Sequence, residues 1–192
     1  MVVFQIIAFT VAVFIANVIS GGLINNYFAL TPSTFLTQPW TIVTSIFLHG
    51  NLMHIFFNMF GLFMFGPYLQ AKIGTKNFLY LYFASGIVGN MGYMITSGFG
   101  SVPVVGASGA IFGVLGTLAI LQPNLMIFVG FIPMPIWMAS IFWLITETVY
   151  GFGQLQAGVA NFAHVFGLFG GLLFGGIFKK QIIAKGGWLH DE

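Results

Sequence analysis

The sequence has no cysteine, no arginine and only three acidic residues, Glu147, Asp191 and Glu192. Without cysteine there are no disulfides, thiol nucleophiles or thiolate metal sites. Without arginine the only fixed side-chain cations are five lysines, which do not form the basic face that grips DNA or RNA, so nucleic acid is excluded as a partner. Charge of either sign is scarce. Charged residues make up 4% of the 192 positions, against about 25% in an ordinary soluble domain, while 58% are hydrophobic. No water-soluble surface can be built from that composition.

What is present is apolar sequence in long runs. A helix that crosses the hydrocarbon core takes roughly 20 apolar residues, so this length accommodates about six spans with short connections. Six runs follow one another, at 2–19, 51–68, 78–95, 106–121, 132–150 and 159–178. The first follows the initiator methionine with no positive stretch and no small-residue cleavage site, and is read as a retained span and not a signal peptide. Between residues 20 and 40, Gly21, Gly22, Asn25, Asn26, Pro32 and Pro39 interrupt any long helix, although Phe28, Leu30, Phe35 and Leu36 keep the segment apolar. It is expected at the membrane interface. The expected fold is all-α, a polytopic membrane bundle of six transmembrane helices in one domain, 1–178, followed by a short cytoplasmic tail, 179–192.

Lys72 and Lys76 lie between runs two and three, and Lys179, Lys180 and Lys185 follow run six. With six spans these two places fall on one side. Lysine in short loops prefers the cytoplasm, so both termini are expected there.

Polar groups at membrane depth cost free energy unless paired, and are functional candidates for that reason. The second run carries His54 and Asn58, four apart and on one helical face, with His49 just before it. The fourth opens with Gly106-Ala107-Ser108-Gly109, the sixth contains Asn161 and His164, and Glu147 sits late in the fifth. Each can serve simply as hydrogen-bonding glue between helices. Together they suggest more, because His54, Ser108 and His164 all fall toward the outer ends of their spans. One outward-facing aqueous cavity can hold them.

A serine hydroxyl needs a neutral base within about 2.6–3.2 Å to become a nucleophile, and His164 is the candidate in the sixth run. With so few acids the expected unit is a Ser108-His164 dyad; Glu147 is either an orienter of the imidazole or a residue of the outer interface and following loop. An oxyanion hole would draw on the Ser108 backbone N–H at a helix start and on side-chain donors from His54 and Asn58. Gly109, Gly113 and Gly116, facing Gly167 and Gly171, would let two helices approach closely enough to join serine and histidine. Metal catalysis fits poorly. His49 and His54 are five apart, off one helical face, with no cysteine or acid nearby, so neither a metal nor a cofactor is expected.

Three blocks resemble the rhomboid family of intramembrane serine proteases: His49 to Asn58, Gly106-Ala107-Ser108-Gly109, and Ala163-His164-Val165-Phe166-Gly167 with Gly171. The resemblance implies a Ser108-His164 dyad, an oxyanion hole using His54 and Asn58, and cleavage of transmembrane protein substrates near the outer boundary of the bilayer. Phe112 falls where many members have a tyrosine stacked on the histidine. Two departures stand out: Trp40 is followed by Thr41 where the family usually has arginine, and Gln70 replaces a glutamate. The location implied is the plasma membrane of a prokaryote. A substrate helix would enter between spans two and five, with loop 151–158 capping the cavity through Phe152 and Leu155; Trp137, Phe142 and Trp143 either line that entrance or simply pack against lipid. A catalytically silent relative that binds membrane clients is the alternative. A transporter would call for inverted repeats or discontinuous helices, and neither stands out.

Overall fold

The computed structural model describes residues 1–156 and 158–184. It is an all-α bundle with one small hairpin. Six longer helices, α1 (Val2–Ile19), α4 (Leu52–Ile73), α5 (Thr75–Thr96), α6 (Ser108–Leu121), α7 (Ile136–Gly153) and α8 (Asn161–Ala184), carry the architecture. Two short ones, α2 (Leu23–Phe28) and α3 (Thr41–Thr44), lie in the connection between α1 and α4. Among the described residues, α1, α4, α5 and α8 are each long and apolar enough to cross a membrane unaided. The 14-residue α6 sits at the centre, with 11 of its residues buried, and packs mainly on α5 and α8.

The core is apolar, but so is much of the outer surface, and several polar side chains lie inside. Phe4, Phe9, Ile15, Phe56, Phe60, Phe63 and Met64 are exposed, whereas Thr10, Asn17, Asn58, Gln70, Asn90, Thr117 and Asn161 are buried. Lipid is the solvent for such a surface. The bundle is an integral membrane protein.

Small residues set how closely the central helices approach. A Cβ on Gly167 would collide with the backbone carbonyl of Gly109, and one on Gly171 with that of Gly113. The Thr117 hydroxyl donates to the Gly171 carbonyl at 2.9 Å, tying the same pair of helices with a polar contact.

The largest differences from the sequence expectation are at three boundaries. The fifth apolar run does not start as helix at Ile132, because β2 (Ile132–Pro135) pairs antiparallel with β1 (Met126–Val129) in the register Val129 to Ile132. Pro133 and Pro135 disfavour helical backbone at the residues before them, so α7 begins only at Ile136. At the other end of the bundle, α4 continues through Pro67 to Ile73, and α8 runs past Lys179 and Lys180 to Ala184. Lysines mark where a helix leaves lipid, not where it stops, since their stems can cover apolar surface while the ammonium reaches water. Residues 185–192 of the expected tail, Lys185 among them, lie outside the described residues.

The connection from α1 to α4 is ordered by backbone acceptors. Trp40 Nε1 donates to the Tyr27 carbonyl at 3.0 Å, and the Thr44 hydroxyl to that of Phe28 at 2.8 Å. Thr41, where an arginine is usual, is buried and donates to the Gln38 carbonyl at 2.6 Å. Gln70 accepts from the Val3 N–H at 3.3 Å and donates to the Thr75 hydroxyl at 2.8 Å, joining three helices without a charge. Leu30 and Val104 exchange backbone hydrogen bonds of 3.2 and 2.8 Å, which fastens this connection to the segment leading into Ser108.

Candidate active site

Four helix ends meet at one end of the bundle. Asn51 caps α4 by accepting from the His54 N–H at 2.8 Å, so the first turn of α4 is fixed where His54 and Asn58 project. Ser108 opens α6, and His164 stands one turn into α8. Helices α6 and α8 are held at glycine contact distance just below, which brings Ser108 Oγ to 2.8 Å from His164 Nε2. The lysines of α4, α5 and α8 lie toward the opposite end of the same helices.

The imidazole of His164 is held on two further sides. Phe112, one turn after Ser108, stacks on it with centroids 4.7 Å apart and planes 9° from parallel, and Trp143 of α7 meets the edge of Phe112 at 5.9 Å. The other ring nitrogen, Nδ1, lies 2.9 Å from Glu147 Oε2. Glu147 therefore faces neither lipid nor the outer interface. The same oxygen accepts from Asn161 Nδ2 at 2.7 Å, and that amide nitrogen also donates to Gln156 Oε1 at 2.8 Å.

Above Ser108 and His164 is a cavity of about 580 Å³, lined among others by Asn51, His54, Asn58, Tyr93, Val104 and Ala160. Gly106 shapes it. Its φ is +127°, and a Cβ there would lie 2.7 Å from His54 Nε2, so the ring occupies space that only glycine leaves. The Gly106 N–H donates to the Ser45 carbonyl at 3.0 Å, while Asn90 Nδ2 donates to Ser45 Oγ at 3.0 Å and to the Ile42 carbonyl at 2.8 Å. Asn58 spends one N–H of its amide on the His54 carbonyl at 2.8 Å, leaving a second for a bound group.

His49 has a part that its spacing from His54 did not suggest. Its ring lies edge-on to His54 with centroids 5.0 Å apart, and its Nε2 accepts a long bond, 3.5 Å, from the Ala107 N–H next to Ser108. Burial, and after it the neighbouring His54, pushes its pKa down to about 3, with the Phe47 backbone acting the other way. His49 is thus a neutral acceptor beneath the serine loop. The expected cap differs as well: Gly158, Val159 and Ala160 line the cavity, whereas Phe152 and Leu155 are exposed outside it, Phe152 lying edge-on to Phe162 at 5.0 Å. Trp137 and Phe142 are exposed on α7.

This arrangement can activate a hydroxyl and offer N–H donors to a developing oxyanion on the wall of the cavity. Comparison with known proteins gives the family. The family model described as the Rhomboid domain matches residues 36–181. The chain is 35% identical over 136 residues to the putative rhomboid protease YdcA of Bacillus subtilis (strain 168), an alignment covering 70% of this chain and 64% of that protein. It is 32% identical over 172 residues to the rhomboid protease GluP of the same organism, covering 86% of this chain and 32% of GluP. With the rhomboid protease GlpG of Yersinia pseudotuberculosis serotype I (strain IP32953) the identity is 28% over 173 residues, 88% of this chain and 59% of GlpG. The chain therefore spans from about a third to about two thirds of the length of these relatives. A family match across most of the sequence, on a membrane bundle of this construction, means that the chain belongs to the rhomboid family.

Proposed function

We propose that the protein is an intramembrane serine endopeptidase that cleaves transmembrane protein substrates near the outer boundary of the bilayer. The observation that carries this reading is the 2.8 Å approach of Ser108 Oγ to His164 Nε2 on the wall of a cavity that Asn51, His54 and Asn58 also line. A substrate segment that unwinds in the cavity presents a peptide carbonyl to Ser108. Oγ attacks the carbonyl carbon as its proton passes to His164 Nε2, forming a C–O bond and an oxyanion. The Ser108 backbone N–H, His54 Nε2 and the free N–H of Asn58 are the donors for that oxyanion. Collapse breaks the C–N bond, and the proton on Nε2 goes to the leaving amine. Water then attacks the acyl-enzyme with His164 again taking a proton, which releases the acid product and restores Ser108.

Direction across the membrane follows from the lysines, which mark the end of the bundle opposite the cavity. With lysines in the cytoplasm, the cavity opens toward the outer side of what the bacterial relatives suggest is a prokaryotic plasma membrane.

The test is labelling by a fluorophosphonate, together with cleavage of a model transmembrane substrate in proteoliposomes. Labelling of the wild type that Ser108→Ala abolishes, and turnover that His164→Ala abolishes, is the expected result. A wild type that neither labels nor cleaves would instead indicate a protein that binds membrane clients without cutting them.

A further inference from the structure

Glu147 is the only carboxylate among the described residues, and it lies deep in the bundle. An ionised carboxylate at such depth is costly unless it is paired, so its partners are informative. They form a chain. Gln156 Oε1 accepts from Asn161 Nδ2, Asn161 Nδ2 donates to Glu147 Oε2, and Glu147 Oε2 lies 2.9 Å from His164 Nδ1, whose Nε2 faces Ser108 Oγ at 2.8 Å. Side chains of both members of the Glu147-His164 contact are nearly buried, 14% and 12% exposed, and Asn161 is 4% exposed. Asn161 is also the first residue of the 24-residue α8, so Glu147 sits at the positive end of a long helix.

Resting on the protease reading above, we propose that Glu147 is a positioning residue that turns the Ser108-His164 pair into a Ser-His-Glu triad. Phe112 fixes the plane of the imidazole by stacking, but stacking leaves the ring free to rotate within that plane. Glu147 removes this freedom by accepting the Nδ1–H. With the proton on Nδ1, Nε2 is bare and can accept from the Ser108 hydroxyl; the opposite tautomer cannot. During attack the serine proton moves to Nε2, the Nδ1 proton stays on the ring, and the carboxylate stabilises the resulting imidazolium without itself being protonated. The Nε2 proton then leaves with the amine, returning the ring to its starting tautomer.

A carboxylate that only staples α7 to α8 would predict a stability change and no change in chemistry. The experiment therefore compares Glu147→Gln and Glu147→Asp with the wild type in proteoliposomes. Glu147→Gln is expected to lower kcat by about 10² to 10⁴-fold with KM little changed. It is also expected to move the acid limb of the pH–rate profile toward lower pH, because loss of the negative charge makes the imidazole easier to deprotonate. Glu147→Asp, which restores the charge, recovers part of the rate and the position of that limb. The wild type provides a measurement that needs no variant to fold: ¹⁵N chemical shifts of the His164 ring at neutral pH, with a proton on Nδ1 and a bare Nε2. Wild-type kcat and an unmoved acid limb in Glu147→Gln overturn the triad while leaving the protease reading intact, as does an Nε2–H tautomer in the wild type. A wild type that neither labels nor cleaves overturns both.

Discussion

His54 Nε2 lies 2.7 Å from the point that a Cβ on Gly106 would occupy, on a residue whose φ is +127°. Two independent constraints thus fall on one glycine. A side chain there meets a strained backbone region that costs about 1–3 kcal/mol, and it also pushes the imidazole out of the cavity wall. Gly106→Ala is expected to lower thermal stability in detergent by that order and to slow fluorophosphonate labelling by more than the stability loss explains. A labelling rate equal to that of the wild type would mean that His54 does not need its present position.

The contact of Gly167 with the Gly109 carbonyl is backbone against side-chain space, and a carbonyl cannot rotate aside as a flexible side chain can. Gly167→Ala must therefore spread α6 from α8, at a cost of about 1–3 kcal/mol. Since His164 stands one turn away on the same helix, the spread also lengthens its bond to Ser108. Gly176→Ala is the control. Nothing lies within 4 Å of a Cβ there, and replacing a helical glycine contributes up to about 1 kcal/mol of propensity. Chemical unfolding should separate the two variants in opposite directions.

Much of this was legible in the sequence because apolar runs and polar exceptions are local signals. The run 2–19 coincides with α1, and Ser108, His164, His54 and Asn58 were identifiable as polar groups where polar groups are expensive. The hairpin at Met126–Pro135 was hidden inside apolar sequence, since only Gly130 at its turn and the two alternate prolines distinguish it from the start of a helix. Glu147 was harder for a different reason. Its position late in α7 gives the depth but not the direction of its side chain, which is set by how α7 leans on α8. Asn161, which also donates to Gln156, holds the carboxylate across a loop whose geometry no spacing encodes. His49 likewise looked like an unsuitable metal ligand, and its contact with Ala107 exists only once α6 is in place.

Phe112 bridges the histidine and α7, stacked on His164 and edge-on to Trp143. An aromatic pair of this kind contributes about 0.5–1.5 kcal/mol beyond the area it buries. Phe112→Ala should therefore be destabilised by at least that amount. Its effect on turnover should be larger, up to about 10²-fold, because a ring displaced by an ångström no longer meets Ser108 squarely. Phe112→Tyr keeps the stacked face and should retain most of the wild-type rate. If both variants turn over equally slowly, the loss comes from something other than stacking.

His49 makes the fold itself sensitive to acid. Its pKa falls from the ordinary 6.5 to about 3 on folding, mainly through burial and then through His54. Between these values the unfolded chain binds a proton on this residue that the folded chain excludes, so stability rises with pH across that window. The contribution is fully present above about pH 6.5 and is lost as pH falls toward 3. One excluded proton corresponds to a slope of at most about 1.4 kcal/mol per pH unit. His49→Phe keeps an aromatic ring against His54 but cannot titrate. Denaturant unfolding in micelles at pH 4.5, 5.5 and 7 should show a shallower slope for this variant, together with lower stability at pH 7 from loss of the acceptor beneath Ala107. An unchanged slope would mean that His49 becomes protonated inside the folded protein, which requires that water reach the space beneath the serine loop.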